Sequence, residues 1–300
     1  MEFAALQLSG IGEISPFFKK IRTKTCDYTV GGMFMWRDFY RMEYAVSDGV
    51  FYSRLHSVHG ARYYNLPIAD DIPAALRGFR EATGETAPTF CTIPEEYLSV
   101  FREIFPGCGV SYQEEFSDYL FRYDDLAGLH GKKYSGQRNQ ISQFKRANED
   151  WSFTPLGEDM LGEVREFFLR KYLPESADGA YEREENRKVL EVLDNFRAYG
   201  FSGGVLKAGG AVVGFSLGEI IGDTLFVHIE KADRGCKGAY QMLVNQFAAA
   251  QRQEQLLYIN REEDMGDPGL RASKQSYHPV ALLKKFVVRV DNNDYKVAKS

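Results

Sequence analysis

The chain has 300 residues, 44% of them hydrophobic and 14% aromatic, and a formal net charge of −5. So many aromatics exclude a disordered chain, and the acidic balance excludes binding nucleic acid by bulk charge, leaving only a local basic patch for that role. Cys26, Cys91, Cys108 and Cys236 form no C-x-x-C pair and no Cys/His cluster, so they read as reduced thiols of a cytoplasmic protein and suggest no metal. The start, MEFAALQLSGIGE, lacks the basic and apolar regions of a signal peptide, and no run approaches the roughly 18 apolar residues of a membrane span.

In chain order, Ser15-Pro16 predicts the start of a helix running to about Lys24. Trp36, Phe39 and Tyr40 form an aromatic cluster assigned to the core. Glu43–Ser47 and Val50–His56 flank Asp48-Gly49, the signature of a β-hairpin. A helix is expected over Asp71–Ala82, stopped by Gly84, then a strand at Thr89–Ile93 and a helix from Pro94 to Phe105. Val110–Gln113 and Tyr119–Tyr123 read as strands, and Tyr134–Asn148 as a charged helix. After a strand at Trp151–Thr154, helices are expected near Asp159–Tyr172 and Arg183–Tyr199. Three strands follow in quick succession, Phe201–Lys207, Ala211–Ile220 and Thr224–Glu230. A helix over Gly238–Gln251, a strand at Leu256–Ile259, a short helix at Gly269–Tyr277 and a closing strand at Phe286–Val290 complete the chain. The order of elements in the second half recurs, blurred, in the first. It predicts two related α/β (α+β) lobes, divided as residues 1–117 and 118–300.

Polar residues concentrate in the second half. In the strand Val227-His228-Ile229-Glu230, alternation puts His228 and Glu230 on one face. The strand runs into a loop with Arg234, Lys237 and Gly238 at a helix N-terminus, where free N–H groups suit a phosphate; a charged surface turn is the equal alternative. Asn260, Arg261, Glu262, Glu263 and Asp264 lie just beyond an apolar strand, where ligands often bind in α/β sheets; the acids suit a cationic substrate group, or are an acidic loop in water. Lys132, Lys133, Arg138, Lys145 and Arg146 form a basic run that suits phosphates or is a solvated helix face. Tyr277, in a run with Lys274, is a candidate general acid or a packed ring. His56, His59 and His130 have no spaced partners, and the first half shows no comparable polar cluster, so it reads as structural.

Seven segments in order carry a resemblance: Asp118–Phe121, Leu129-x-Gly131–Tyr134, Gln137–Asn139, His228–Asp233, Lys237–Tyr240, Ile259–Asp264 and Ser276-Tyr277-x-Pro279. Together they resemble the family named for the C-terminal domain of phosphatidylglycerol lysyltransferase, well over Tyr119 to Val290 and more loosely before it. The resemblance implies two tandem GNAT-like acyltransferase lobes, each a mixed, mostly antiparallel sheet flanked by helices. It also implies transfer of an acyl or aminoacyl group, with aminoacyl-tRNA or acyl-CoA as donor, to a hydroxyl, amine or lipid-headgroup acceptor. Membrane-bound namesakes carry a flippase part that this sequence lacks. The GNAT pyrophosphate loop, Arg/Gln-x-x-Gly-x-Gly/Ala, has lysine at its first glycine here, in Arg234-x-x-Lys237-x-Ala239, which counts against acyl-CoA. On this reading Glu230 is the base, with His228 as its substitute or orienting partner, and Tyr277 is the acid. Asn260, Arg261, Glu263, Asp264 and Lys274 bind substrate; Lys132, Lys133, Arg138, Asn139, Lys145, Lys237 and Gly238 hold donor phosphates. The alternatives are a CoA-dependent N-acyltransferase and a non-catalytic module binding a nucleotide, RNA or lipid headgroup.

Overall fold

The computed structural model describes residues 1–57, 59–172 and 179–291. In chain order its strands are β1 (Ala4–Ala5), β2 (Glu43–Ser47), β3 (Val50–His56), β4 (Arg62–Tyr64), β5 (Thr89–Pro94) and β6 (Gly109–Tyr112). Then come β7 (Asp118–Arg122), β8 (Ser152–Pro155), β9 (Ser202–Ala208), β10 (Ala211–Ile221), β11 (Thr224–Ala232), β12 (Tyr258–Asn260), β13 (Ala281–Leu283) and β14 (Lys285–Arg289). They form two seven-stranded sheets, ordered β1-β2-β3-β4-β5-β14-β6 and β13-β7-β12-β11-β10-β9-β8.

The two sheets share a plan. Four consecutive strands run antiparallel, and the fourth pairs parallel with a fifth: β4 with β5, β11 with β12. A parallel neighbour needs a crossover, and helices supply it: Ile72–Arg77 and Phe79–Thr83 in one case, Ala239–Ala250 in the other. The sixth strand of each sheet comes from elsewhere in the chain, β14 in the first and β7 in the second, each antiparallel to the fifth. Both are units of mixed α/β structure, each a mostly antiparallel sheet flanked by helices.

The chain divides into one unit of 1–118, 263–266 and 282–300 and another of 119–262 and 267–281. The closing strand expected at Phe286–Val290 therefore belongs to the first unit, not to a lobe running from 118 to the end. Nothing in its local pattern names its partners, since hydrophobic alternation marks a strand but not its neighbours.

Aromatic packing fills the first unit: Phe79, Phe90 and Phe101 are fully buried, with centroids 4.9 and 5.0 Å apart along the series. Trp36, Phe39 and Tyr40 pack edge to edge but remain half-buried rather than central. The first helix begins earlier than expected, at Ile11, and contains Pro16. The proline forfeits only the bond to the carbonyl of Gly12, and the helix ends two residues later at Phe18. In the second unit Phe167 and Phe168 of the helix Leu161–Lys171 meet Phe215 of β10 edge-on.

Candidate active site

Strands β10 and β11 build the centre of the second unit. Their register shifts between Leu217, opposite Ile229, and Gly218, opposite Val227, so His228 is an extra, bulged residue. The cause is local: a Cβ on Gly218 would stand 2.2 Å from the Phe226 carbonyl oxygen, so only glycine lets the strands approach this closely. The bulge breaks the alternation. Val227 and Glu230 line one small cavity, while His228 stacks on Phe226, two residues back. His228 and Glu230 therefore do not share a face, contrary to the expectation from strict alternation.

On the Glu230 face, Glu230 Oε2 accepts a short hydrogen bond from Arg261 Nη2. The Tyr277 ring lies against the guanidinium, whose Cζ is 5.0 Å from the ring centroid. Ser216, the cross-strand partner of Glu230, is fully buried. Three buried polar atoms here have no hydrogen-bond partner among the described residues: Arg261 Nη1, Tyr277 Oη and Ser216 Oγ. Such atoms are costly to bury unsatisfied, and their gathering marks a place where a ligand group or water completes the bonds. Burial pushes the Tyr277 hydroxyl up; Arg261 opposes this and Glu230 adds to it, so the phenol stays neutral near pH 7. Burial opposes the Arg261 charge, but Glu230 outweighs it and holds the guanidinium ionised.

Backbone anchors hold these side chains in place. Arg261 N–H donates to the Tyr119 carbonyl, and Lys274 Nζ donates to the carbonyls of Arg261 (2.5 Å) and Glu262 (3.2 Å). Lys274, expected to bind substrate, thus ties down the loop that carries Arg261. Tyr134 Oη donates to the Tyr277 carbonyl (3.0 Å) and Gln137 Nε2 to that of Ser276 (2.7 Å), so the helix Ser135–Ala147 and the turn before it secure Tyr277. The cavity beside Glu230 and Arg261 holds about 10 Å³, room for one water. Seating a larger group there requires neighbouring side chains to move.

On the other face, the buried His228 ring is clasped by two carboxylates: Nδ1 lies 2.7 Å from Glu262 and Nε2 2.9 Å from Glu219. Burial opposes the imidazolium, but the hydrogen bonds to Glu219 and Glu262 more than offset it and raise the ring to about 9. Glu219 belongs to no motif; its signal in the sequence is that it is the one ionisable side chain in Ala211–Ile221, which needs a partner when buried.

The remaining expected residues scatter. Asn260 is buried, and its Oδ1 accepts from the Glu262 N–H. Glu263 and Asp264 fall in the first unit, Asp264 accepting from the Gly266 N–H. Arg138 donates from Nη1 to the carbonyls of Leu129 and Gly131, bracing a loop. Lys133 pairs with Asp125, and Lys145 lies over Trp151. Lys132, Asn139 and Lys237 are exposed. Gly238 is required by packing: its φ is 81°, and a Cβ would sit 2.3 Å from the Gln140 carbonyl oxygen.

The first unit holds a polar cluster of its own, which the sequence did not reveal because four stretches of chain build it. Lys285 Nζ lies 2.7 Å from Asp118, 2.9 Å from Asp27, 3.3 Å from Glu263 and 3.4 Å from Cys26 Sγ. Cys26, Asp27 and Asp118 present donor atoms close enough to share a cation, and the Lys285 ammonium supplies the positive charge among them. Burial, then Asp118, pushes the Cys26 thiol well up, so it is not a reactive thiolate.

Comparison with known proteins places this architecture. The sequence matches the family model described as phosphatidylglycerol lysyltransferase, C-terminal, over residues 18–289, and the chain belongs to that family. A conserved protein of unknown function from Bacteroides thetaiotaomicron shares 30% identity, with 97% of this chain and 100% of that one covered and a TM-score of 0.87. The structure of L-PGS from Bacillus licheniformis shares the fold at 15% identity and a TM-score of 0.63, over 96% of each chain. An uncharacterised protein of Mycoplasmoides gallisepticum is 25% identical over 185 residues, 59% of this chain and 57% of that protein's length. Among the described residues no helix is long and apolar enough to cross a membrane.

Proposed function

We propose that the second unit transfers an acyl group, and specifically an aminoacyl group carried on tRNA, to a hydroxyl or amine acceptor. Membership of a family described by lysyl transfer to phosphatidylglycerol supports the reaction class. One observation carries the placement: Glu230, Arg261 and Tyr277 converge, with two buried donors, Arg261 Nη1 and Tyr277 Oη, that no group among the described residues satisfies.

The chemistry follows from those atoms. The acceptor attacks the ester carbonyl, whose oxygen gains negative charge; Arg261 Nη1 donates to it. Glu230, oriented by Arg261 through Oε2, takes the acceptor's proton on Oε1. As the bond to the leaving oxygen breaks, the neutral Tyr277 gives that oxygen its proton, and return of the proton from Glu230 to Tyr277 closes the cycle. The exposed Lys132, Asn139 and Lys237, with Lys145, are assigned to donor phosphates, and Asn260 to positioning the loop that bears Arg261.

The test offers the purified protein a set of aminoacyl-tRNAs, and separately acetyl-CoA, with Tyr277→Phe and Glu230→Gln alongside. The expected result is transfer from a charged tRNA, cut about 100-fold in either variant with donor affinity kept. Transfer from acetyl-CoA alone moves the donor to a thioester. Binding without transfer from either donor, or full turnover in both variants, overturns the proposal and leaves a binding module.

A further inference from the structure

We propose that His228 is a positioning residue: clasped between Glu219 and Glu262 on one face of the sheet, it fixes the loop that presents Arg261 on the other. The inference rests on the transfer site described above and adds the device that aims it.

Glu262 has a left-handed backbone, φ 56°, which a non-glycine residue adopts only when its surroundings impose it. Its surroundings hold it: its N–H donates to Asn260 Oδ1 (2.6 Å), its carbonyl accepts from the Tyr119 N–H (3.1 Å) and from Lys274 Nζ (3.2 Å), and its carboxylate meets His228 Nδ1 (2.7 Å). Arg261 is the preceding residue, so the conformation of Glu262 sets where its guanidinium points. Catalytic donors tolerate only small misplacement before their contribution collapses. The contact with the histidine bridges Glu262 to the central hairpin, through Glu219 on β10 and the place of His228 on β11. The charged groups facing the ring are Glu219 and Glu262; Phe201 and Phe226 pack against it, the loop itself also carries Arg261, paired with Glu230, and Lys274 donates to the loop carbonyls.

An imidazole bonded to a carboxylate through each nitrogen donates from both and is a cation. The ring should hold that charge through neutral pH and lose it near 9. Deprotonation then removes one of the two donors and releases one carboxylate.

The primary test is independent of any donor. Imidazole nitrogen NMR should show both His228 nitrogens protonated at pH 7, with titration near 9 that falls toward the ordinary value in Glu219→Gln. In His228→Gln, the Glu262 amide should exchange about tenfold faster or more, with distant core amides unchanged. Should His228→Gln fail to fold, Glu262→Gln, which keeps the ring and a neutral partner, should give the same local loosening. A neutral ring at pH 7, or unchanged exchange at Glu262 in both variants, overturns the proposal. With an active donor in hand, His228→Gln should lower kcat about 10- to 100-fold with KM little changed, and wild-type kcat should fall as pH rises through 9. Unchanged kcat in a variant whose loop has loosened overturns the positioning role. Loosening with no transfer from any donor overturns the transfer reading and leaves the clamp standing on exchange alone.

Discussion

Lys285 carries one positive charge into a buried group of three carboxylates, Asp27, Asp118 and Glu263, with the Cys26 thiol beside them. One ammonium cannot neutralise three anions in a poorly solvated place, so one acid gives way. Burial pushes the Asp27 carboxyl well above its ordinary range; Lys285 pulls it back, while Asp118 and Glu263 push it further. A carboxyl raised in the folded state contributes stability that is present in full below its unfolded pKa. That contribution is lost as pH rises through the folded value. Asp27 therefore weakens the first unit on the neutral and alkaline side, and Asp27→Asn should relieve it. We expect the variant to gain on the order of 1 kcal/mol at pH 8, a rise in Tm of about 2–4 °C, and to gain little at pH 4. Thermal unfolding at the two pH values checks this; an equal shift at both, or a loss at pH 8, rules it out. None of these partnerships was legible beforehand. Cys26 read as an ordinary thiol, and a lysine near the end of the chain gave no sign of a carboxylate far away in sequence.

At the scale of elements, the bulge between β10 and β11 decides which polar residues work together. The strands were legible from their apolar alternation, and so was the polar cluster beyond β12. The faces were not, because a bulge depends on how two backbones pair rather than on either strand's pattern. The one local sign is Gly218 inside an apolar strand. Adding a Cβ there would force it to 2.2 Å from the Phe226 carbonyl, a backbone atom that cannot step aside without moving β11. Gly218→Ala should therefore cost about 1–3 kcal/mol and disturb the His228 clasp along with the strand. Gly136→Ala is the matched control: Gly136 lies in the helix Ser135–Ala147 with nothing within 4 Å of the added Cβ. It should be neutral, or stabilise by up to about 1 kcal/mol. Denaturant unfolding of the pair checks this, and equal effects at the two positions would refute the role given to the bulge.

At the scale of the molecule, the chain completes its first sheet with its last strand. β14 fills the gap between β5, which ends at Pro94, and β6, and it begins only at Lys285, about 190 residues after β5. Until it arrives, β5 and β6 lack the strand between them, and the Asp118 carboxylate, fully buried when folded, lacks the Lys285 ammonium. Such long-range pairing is closed late, because loop entropy is lost before the contacts form. A chain ending at Leu283 keeps every strand of the second sheet, including β13, and loses only β14 from the first. The two tryptophans report separately, since Trp36 lies in the first unit and Trp151 in the second. In the Trp151→Phe background, the shortened chain should show Trp36 in water-exposed surroundings without denaturant. In the Trp36→Phe background, Trp151 should keep a cooperative unfolding transition. Loss of both transitions would mean that the second unit cannot hold without the first. Survival of both would mean that β5 and β6 need no strand between them, and that the last strand is an addition to the first sheet rather than the piece that completes it.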